Sequence, residues 1–193
     1  PLPLFPVARD SGTATHIEPR ELWIGMHLPW LAVEALGPAT GVRVIVELQG
    51  QTQYVVSVCE KAEHWGIRPG MSLAAALALL PTVEIRSRDV QQEKQLLERL
   101  ASEAQRFTPR ISLVPPDGLV LEVKGSLHLF GGAEALCSAV GTECQRMGVK
   151  PLLSLAPFPL AALAGARAGK AFVVTQPAHL TGHITSLSLT TLR

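Results

Sequence analysis

The sequence predicts an α+β protein: a mainly antiparallel sheet with helices on one face, carrying a small inserted lobe. Three observations lead there. Strand-length apolar runs such as "ELWIGMHL" and "PLLSLA" are separated by longer stretches in which apolar residues recur every three or four positions. "RISLVPPDGLVLEVKG" reads as two strands joined by a Pro-Pro-Asp-Gly turn, which makes them antiparallel neighbours. Two β-α-β halves frame a separate block of hairpin and short helices, residues 40–82, which therefore reads as an insertion.

Taken in order, residues 1–20 are rich in Pro, Ser, Thr and Gly without an apolar period and read as a flexible arm. "ELWIGMHL" is a largely apolar strand. Pro29 suits the first turn of a following helix, where its missing N–H costs nothing, and Gly37 suits its end. "VRVIVELQ" and "QYVVSVC", joined by "GQT", form a hairpin; "EKAEHWG" and "SLAAALALL" are short helices around the turn "IRPGM". From Asp89 to Phe107, the apolar residues Leu96, Leu97, Leu100, Ala101 and Ala104 mark an amphipathic helix. The antiparallel pair at 110–125 follows, then helix 132–147, strand 151–156, helix 158–169, a short strand 171–174 and a last helical stretch before Arg193. The expected division is an arm at 1–20, a main domain at 21–28 and 83–193, and a smaller subdomain at 29–82.

Composition narrows the function. With 193 residues, 47% of them hydrophobic, the chain can bury a core and a satellite. A formal net charge of +1 provides no broad basic field, so any DNA contact has to be local or borrowed from a partner. The three cysteines, Cys59, Cys137 and Cys144, have no Cys-x-x-Cys spacing, which argues against a disulfide framework or a zinc site and fits a reducing cytoplasm. The longest uncharged run, Pro151 to Ala166, is too short for a membrane span and is interrupted by Pro157 and Pro159. No phosphate-binding glycine loop is present, and no cofactor is expected. Only Asp10, Asp89 and Asp117 are aspartates, so chemistry that needs clustered carboxylates has few to draw on.

Three collinear stretches give the chain a family likeness. "GIRPGMSLAAALALLP" resembles the fingers segment of Y-family translesion DNA polymerases. "FTPRISLVPPDGLVLEVKGSLHLFGG" resembles their palm hairpin, and "LLSLAPFPLAALAGARAGK" their later palm segment with its phosphate-contacting lysine. The likeness spans roughly residues 22–193 and implies a palm with a fingers insertion, the chain ending where thumb and little finger would begin. It also implies where the chemistry should sit. Aligned on Val33-Glu34, the family's Asp-x-Asp pair falls on Gly25 and His27 and its sugar gate on Trp30. In the hairpin, Asp117 matches the family aspartate and Gly118 replaces the adjacent glutamate; the fingers arginine aligns with Glu63, and the palm lysine with Lys170.

Two-metal phosphoryl transfer needs anionic oxygens bridging ions about 3.5–4 Å apart. A glycine, an imidazole and a single aspartate do not supply them, and a glutamate in place of the fingers arginine repels a triphosphate. No metal site is therefore expected at Gly25, His27, Asp117 and Gly118. Within the family, this pattern of loss resembles the noncatalytic members of bacterial mutagenic repair complexes. That resemblance implies a scaffold joining the sliding clamp, an error-prone DnaE-type polymerase and a RecA-type partner, with DNA bound weakly. It also suggests that "PLPLF" at the start of the arm resembles the apolar half of a clamp-binding peptide.

Plainer readings stand beside these. His27 reads as an ordinary hydrogen-bonded residue, Asp117 as a turn cap bonding its own backbone, Glu122 as a solvent-facing position, Trp30 as a packing residue, and Lys170 as the basic end of a helix. Two other functions remain open: a weak nucleotidyltransferase using Asp117 with Glu122, and a module that grips primer-template without chemistry.

Overall fold

A computed structural model describes residues 19–39 and 41–184. The "PLPLF" motif and the stretch beyond Ile184 lie outside the described residues. From the N-terminal side, β1 (Trp23–His27) leads to a single-turn helix α1 (Leu31–Glu34). Next come β2 (Arg43–Gln49), β3 (Thr52–Val58), α2 (Glu60–His64), α3 (Leu73–Leu79) and β4 (Glu84–Ser87). Helix α4 (Val90–Ala104) precedes β5 (Ile111–Val114), β6 (Gly118–Glu122) and a 3-10 helix at Lys124–Phe130. The chain continues through α5 (Ala133–Arg146), β7 (Leu152–Ala156), α6 (Pro159–Arg167) and α7 (Pro177–Ile184). It divides into two units, one from Trp30 to Leu96 and the other made of the residues before and after it.

The smaller unit is a three-stranded sheet in the order β3-β2-β4. β2 and β3 are antiparallel, and Gly50, at φ +66°, supplies the left-handed turn between them. Their inward residues Val44, Val46, Val55 and Val58 pack with Ala62 of α2, Ala76 of α3, Ile67 and Val83. Ser72 caps α3 by accepting the Ala75 N–H at 3.2 Å. β4 lies parallel to β2 and places residues 84–87 in this unit, beyond the end expected at residue 82. Its four residues, "EIRS", are mostly exposed at a sheet edge and leave no apolar period to read.

The larger unit holds a four-stranded sheet, β5-β6-β1-β7, antiparallel throughout. Residues facing one another across strands share a sheet face. Ile24 and Met26 therefore lie with Leu119, Leu121, Leu153 and Leu155, while Trp23, Gly25 and His27 lie with Gly118, Val120, Glu122, Ser154 and Ala156. The first set is buried beside α5, where Gly141 stands against Leu153. The second set is covered by α6, whose Ala161 and Ala162 form a core with Ala156, Phe172, Val174, Leu180 and Trp23. Helices thus occupy both faces, not one. The sequence pattern hides this because α6 meets the sheet through alanines and a glycine, without the large apolar stripe that marks α4.

Two local expectations also change. Residues 171–174 form a single bridge, Val173 to Leu155, with no strand. Glu122 is buried at 8% exposure: Arg110 lies 3.4 Å from its carboxylate, which also accepts the Lys124 N–H at 3.1 Å. A satisfied carboxylate can occupy the inward position of a strand, which alternation alone does not reveal.

Candidate functional site

The larger unit brings four of the sequence-singled residues together. In the β1–β6 register, His27 faces Gly118 and Gly25 faces Val120. The Leu28 N–H donates to the Asp117 carbonyl at 2.9 Å, which ties the β5–β6 turn to the end of β1. Gly25, His27, Asp117 and Gly118 therefore share one end of the sheet, on the face covered by α6.

Gly25 has no room for a side chain. A Cβ there would stand 2.3 Å from the carbonyl carbon of Ala162 and 2.4 Å from the Leu163 nitrogen, so the backbone of α6 rests on β1 where a carboxylate would project. The Ser154 hydroxyl, on the neighbouring strand, donates to the Ala162 carbonyl and fixes the helix at that point. Gly118 is tighter than ordinary packing but less closed: a Cβ would meet Leu163 Cδ1 at 3.2 Å and the Val114 carbonyl at 3.2 Å.

Asp117 does not cap its own turn. Its carboxylate accepts from Arg167 Nη2 at 3.3 Å and stands 3.7 Å from His27 Nδ1, an ion-pair distance but too long for a hydrogen bond. Burial alone pushes the Asp117 carboxyl up; His27 and the Arg167 guanidinium pull it further down, and it ends below the ordinary aspartate value. His27 is not the satisfied residue expected, because its Nδ1 is buried without a hydrogen-bond partner.

Arg167 was not singled out by the sequence. It sits in the last turn of α6, where a cation is favoured by the helix dipole, and its side chain is only 15% exposed. The signal that could have found it is a lone guanidinium in the otherwise apolar "PLAALAGAR". Lys170 follows α6; its N–H closes the helix on the Gly165 carbonyl at 3.1 Å, and the residue is exposed.

Trp30 and Glu63 belong to the smaller unit. Trp30 is half-buried at the start of α1, and its carbonyl accepts the Val33 and Glu34 N–H groups at 2.9 Å. Glu63 is half-buried on α2, and its backbone carbonyl accepts from the Arg68 guanidinium at 2.6 Å. Among the described residues, no group of three or more His, Cys, Asp or Glu gathers as a metal site, and no helix is long and apolar enough to cross a membrane.

Comparison with known proteins agrees with this architecture. Residues 36–164 match the impB/mucB/samB family. Protein ImuB of Caulobacter vibrioides is 33% identical over 128 residues, covering 66% of this chain and 28% of the relative. Among solved structures, an insertion ternary complex of Dbh DNA polymerase superposes with a TM-score of 0.72 at 15% identity, covering 88% of this chain and 53% of that one. DinB from Sulfolobus solfataricus gives a TM-score of 0.68 at 15% identity, covering 88% and 52%. The chain thus spans about a quarter of its curated relative and about half of these solved chains. A family match over most of the chain leads to one assignment, with which the fold shared with these solved polymerases agrees: this chain belongs to the impB/mucB/samB family.

Proposed function

We propose that the chain is the palm and fingers part of a noncatalytic, polymerase-like scaffold in a bacterial translesion-synthesis complex, bridging the sliding clamp, an error-prone DnaE-type polymerase and an ImuA-like, RecA-type protein in the cytoplasm. The observation that carries the noncatalytic half is the contact between Gly25 and the α6 backbone. The position of the family's first carboxylate is closed by main chain at 2.3 Å, so the loss there is one of space as well as of a functional group. Gly118 offers no second acid, and the one aspartate of the corner is already paired with Arg167. Magnesium requires several hard oxygen donors in near-octahedral geometry, and the residues present do not fit a pair of such ions. The bridging half rests on the likeness to ImuB.

Two measurements on the full-length protein test the two halves separately. Primer extension with Mg²⁺ or Mn²⁺ is expected to give no product above the blank; template-directed extension abolished by Asp117→Asn would overturn the noncatalytic reading. Size-exclusion chromatography with clamp, DnaE-type polymerase and RecA-type protein is expected to give co-eluting complexes. Separate elution of all three from this protein would overturn the scaffold reading.

A further inference from the structure

We propose that Arg167 is a resident counter-cation: its guanidinium holds the anionic corner at Asp117, and that corner takes up no divalent ion while Arg167 is in place. The inference rests on the reading that the degenerate cleft runs no two-metal chemistry, and it adds what occupies the cleft instead.

The argument starts from delivery. Helix α6 reaches β1 only because Gly25 has no side chain, and the Ser154 hydroxyl holds its Ala162 carbonyl. With the helix seated there, its last turn brings Arg167 Nη2 to 3.3 Å from Asp117 Oδ1. The Arg167 side chain is 15% exposed and that of Asp117 32%, so the pair is shielded from most solvent screening. A guanidinium never loses its proton under ordinary conditions, so the neutralisation is permanent. A divalent ion approaching the same carboxylate would meet a fixed positive charge within contact distance, a repulsion that a half-buried site does little to screen. Among the described residues the His27 ring also stands at this corner, and an imidazole suits zinc, copper, iron or nickel better than magnesium or manganese. Gly25 and Gly118 bring nothing that could outweigh the charge.

The test uses Mn²⁺, whose paramagnetism broadens resonances of groups near even a weakly bound ion, and the His27 ring signals, assigned by their loss in His27→Gln. With Arg167 present, millimolar Mn²⁺ is expected to leave those signals no broader than an exposed control histidine such as His64. Arg167→Met, which keeps the stem but removes the charge, is expected to raise the His27 broadening at least tenfold. Asp117→Asn on that background should abolish the gain. Arg167→Lys, which keeps the charge, should still exclude the ion. Equal broadening in the wild type and Arg167→Met, at any level, would overturn the inference. If Arg167→Met does not fold, the wild type still decides: Mn²⁺ broadening at His27 that Asp117→Asn removes would show that the guanidinium does not exclude the ion, whereas sharp His27 signals at millimolar Mn²⁺ are the expected result. Primer extension takes no part in this readout, so a protein that extends no primer yet binds Mn²⁺ here would refute the counter-cation and leave the scaffold reading standing.

Discussion

At Gly25 and Gly118, the same chemical change should have very different costs. A Cβ at Gly25 collides with main chain of Ala162 and Leu163, and main chain cannot rotate away as a side-chain tip can. Overpacking a core costs about 1–3 kcal/mol when side chains can adjust, so Gly25→Ala is expected to lose about 3 kcal/mol or more in urea unfolding. Gly118→Ala meets contacts of 3.2 Å or more and should lose about 1 kcal/mol or less. Restoring the family's acids by Gly25→Asp, His27→Asp and Gly118→Glu is therefore expected to yield a poorly folded protein before polymerisation becomes a question; a well-folded triple variant with two-state urea unfolding would show that α6 can move off β1. Asp117 gives a pH signature. Its folded-state pKa is lowered, so the stability it contributes is present above about pH 3.8 and is lost as pH falls through the lower folded value. The stability gap between wild type and Asp117→Asn should accordingly narrow as pH falls below about 4, with the Arg167 guanidinium and the His27 ring as the groups facing the carboxylate. Cys137 behaves oppositely: burial first, and then Glu134, push its thiol up to about 12. Iodoacetamide at neutral pH should modify half-buried Cys59 and leave Cys137 intact until the protein unfolds, as read by mass spectrometry.

Among the elements, α6 sets two effects against each other. Gly165 lies inside it, and replacing a mid-helix glycine by alanine normally gains up to about 1 kcal/mol. Here the new methyl would stand 2.3 Å from Phe172 Cε1 and 2.6 Å from the Ser154 hydroxyl. The steric term is the larger, so Gly165→Ala should destabilise by about 1–2 kcal/mol net, and Phe172→Leu, which relieves the clash, should cost much less on that background than alone. Additive effects of the two changes in urea unfolding would refute this packing. The same helix explains what could be read from the sequence and what could not. The hairpin β2–β3, the amphipathic α4 and the β5–β6 pair were legible because large apolar residues repeat at the period of their secondary structure. Strand β4 was not, being short, charged and at an edge. The placement of α6 was not, because alanines and glycines mark close approach without indicating which surface is approached. Of the site, the family resemblance pointed to Gly25, His27, Asp117 and Gly118, which the structure gathers at one end of the sheet. The partner of Asp117 was not legible, since the pair joins residues fifty positions apart.

For the molecule as a whole, the question is whether it can grip nucleic acid, and charge pairing bears on it more than the count of bases. The 17 Lys and Arg are nearly matched by 16 Asp and Glu, and among the described residues several of the arginines are paired with nearby carboxylates. In the smaller unit, Arg43 and Arg86 share Glu84, and Arg88 donates to both oxygens of Glu93 at 2.8 and 3.0 Å. In the larger unit, Arg106 and Arg146 meet Glu103 and Glu143, Arg110 meets Glu21 and Glu122, and Arg167 meets Asp117. Each such guanidinium would have to give up a carboxylate to neutralise a phosphate, so its contribution to binding is the difference between two pairings. Affinity for duplex DNA falls with salt at about 0.9 logarithmic units per phosphate neutralised. With seven of its guanidiniums already held by carboxylates among the described residues, the chain should therefore bind primer-template only weakly at physiological salt, with a log–log slope no steeper than about −3. Fluorescence anisotropy of a labelled primer-template, titrated with this chain between low and physiological salt, measures both quantities. Submicromolar binding with a slope near −6 or steeper would mean that the ion pairs open to admit phosphates, and would favour a DNA-gripping module over a scaffold that leaves DNA to its partners.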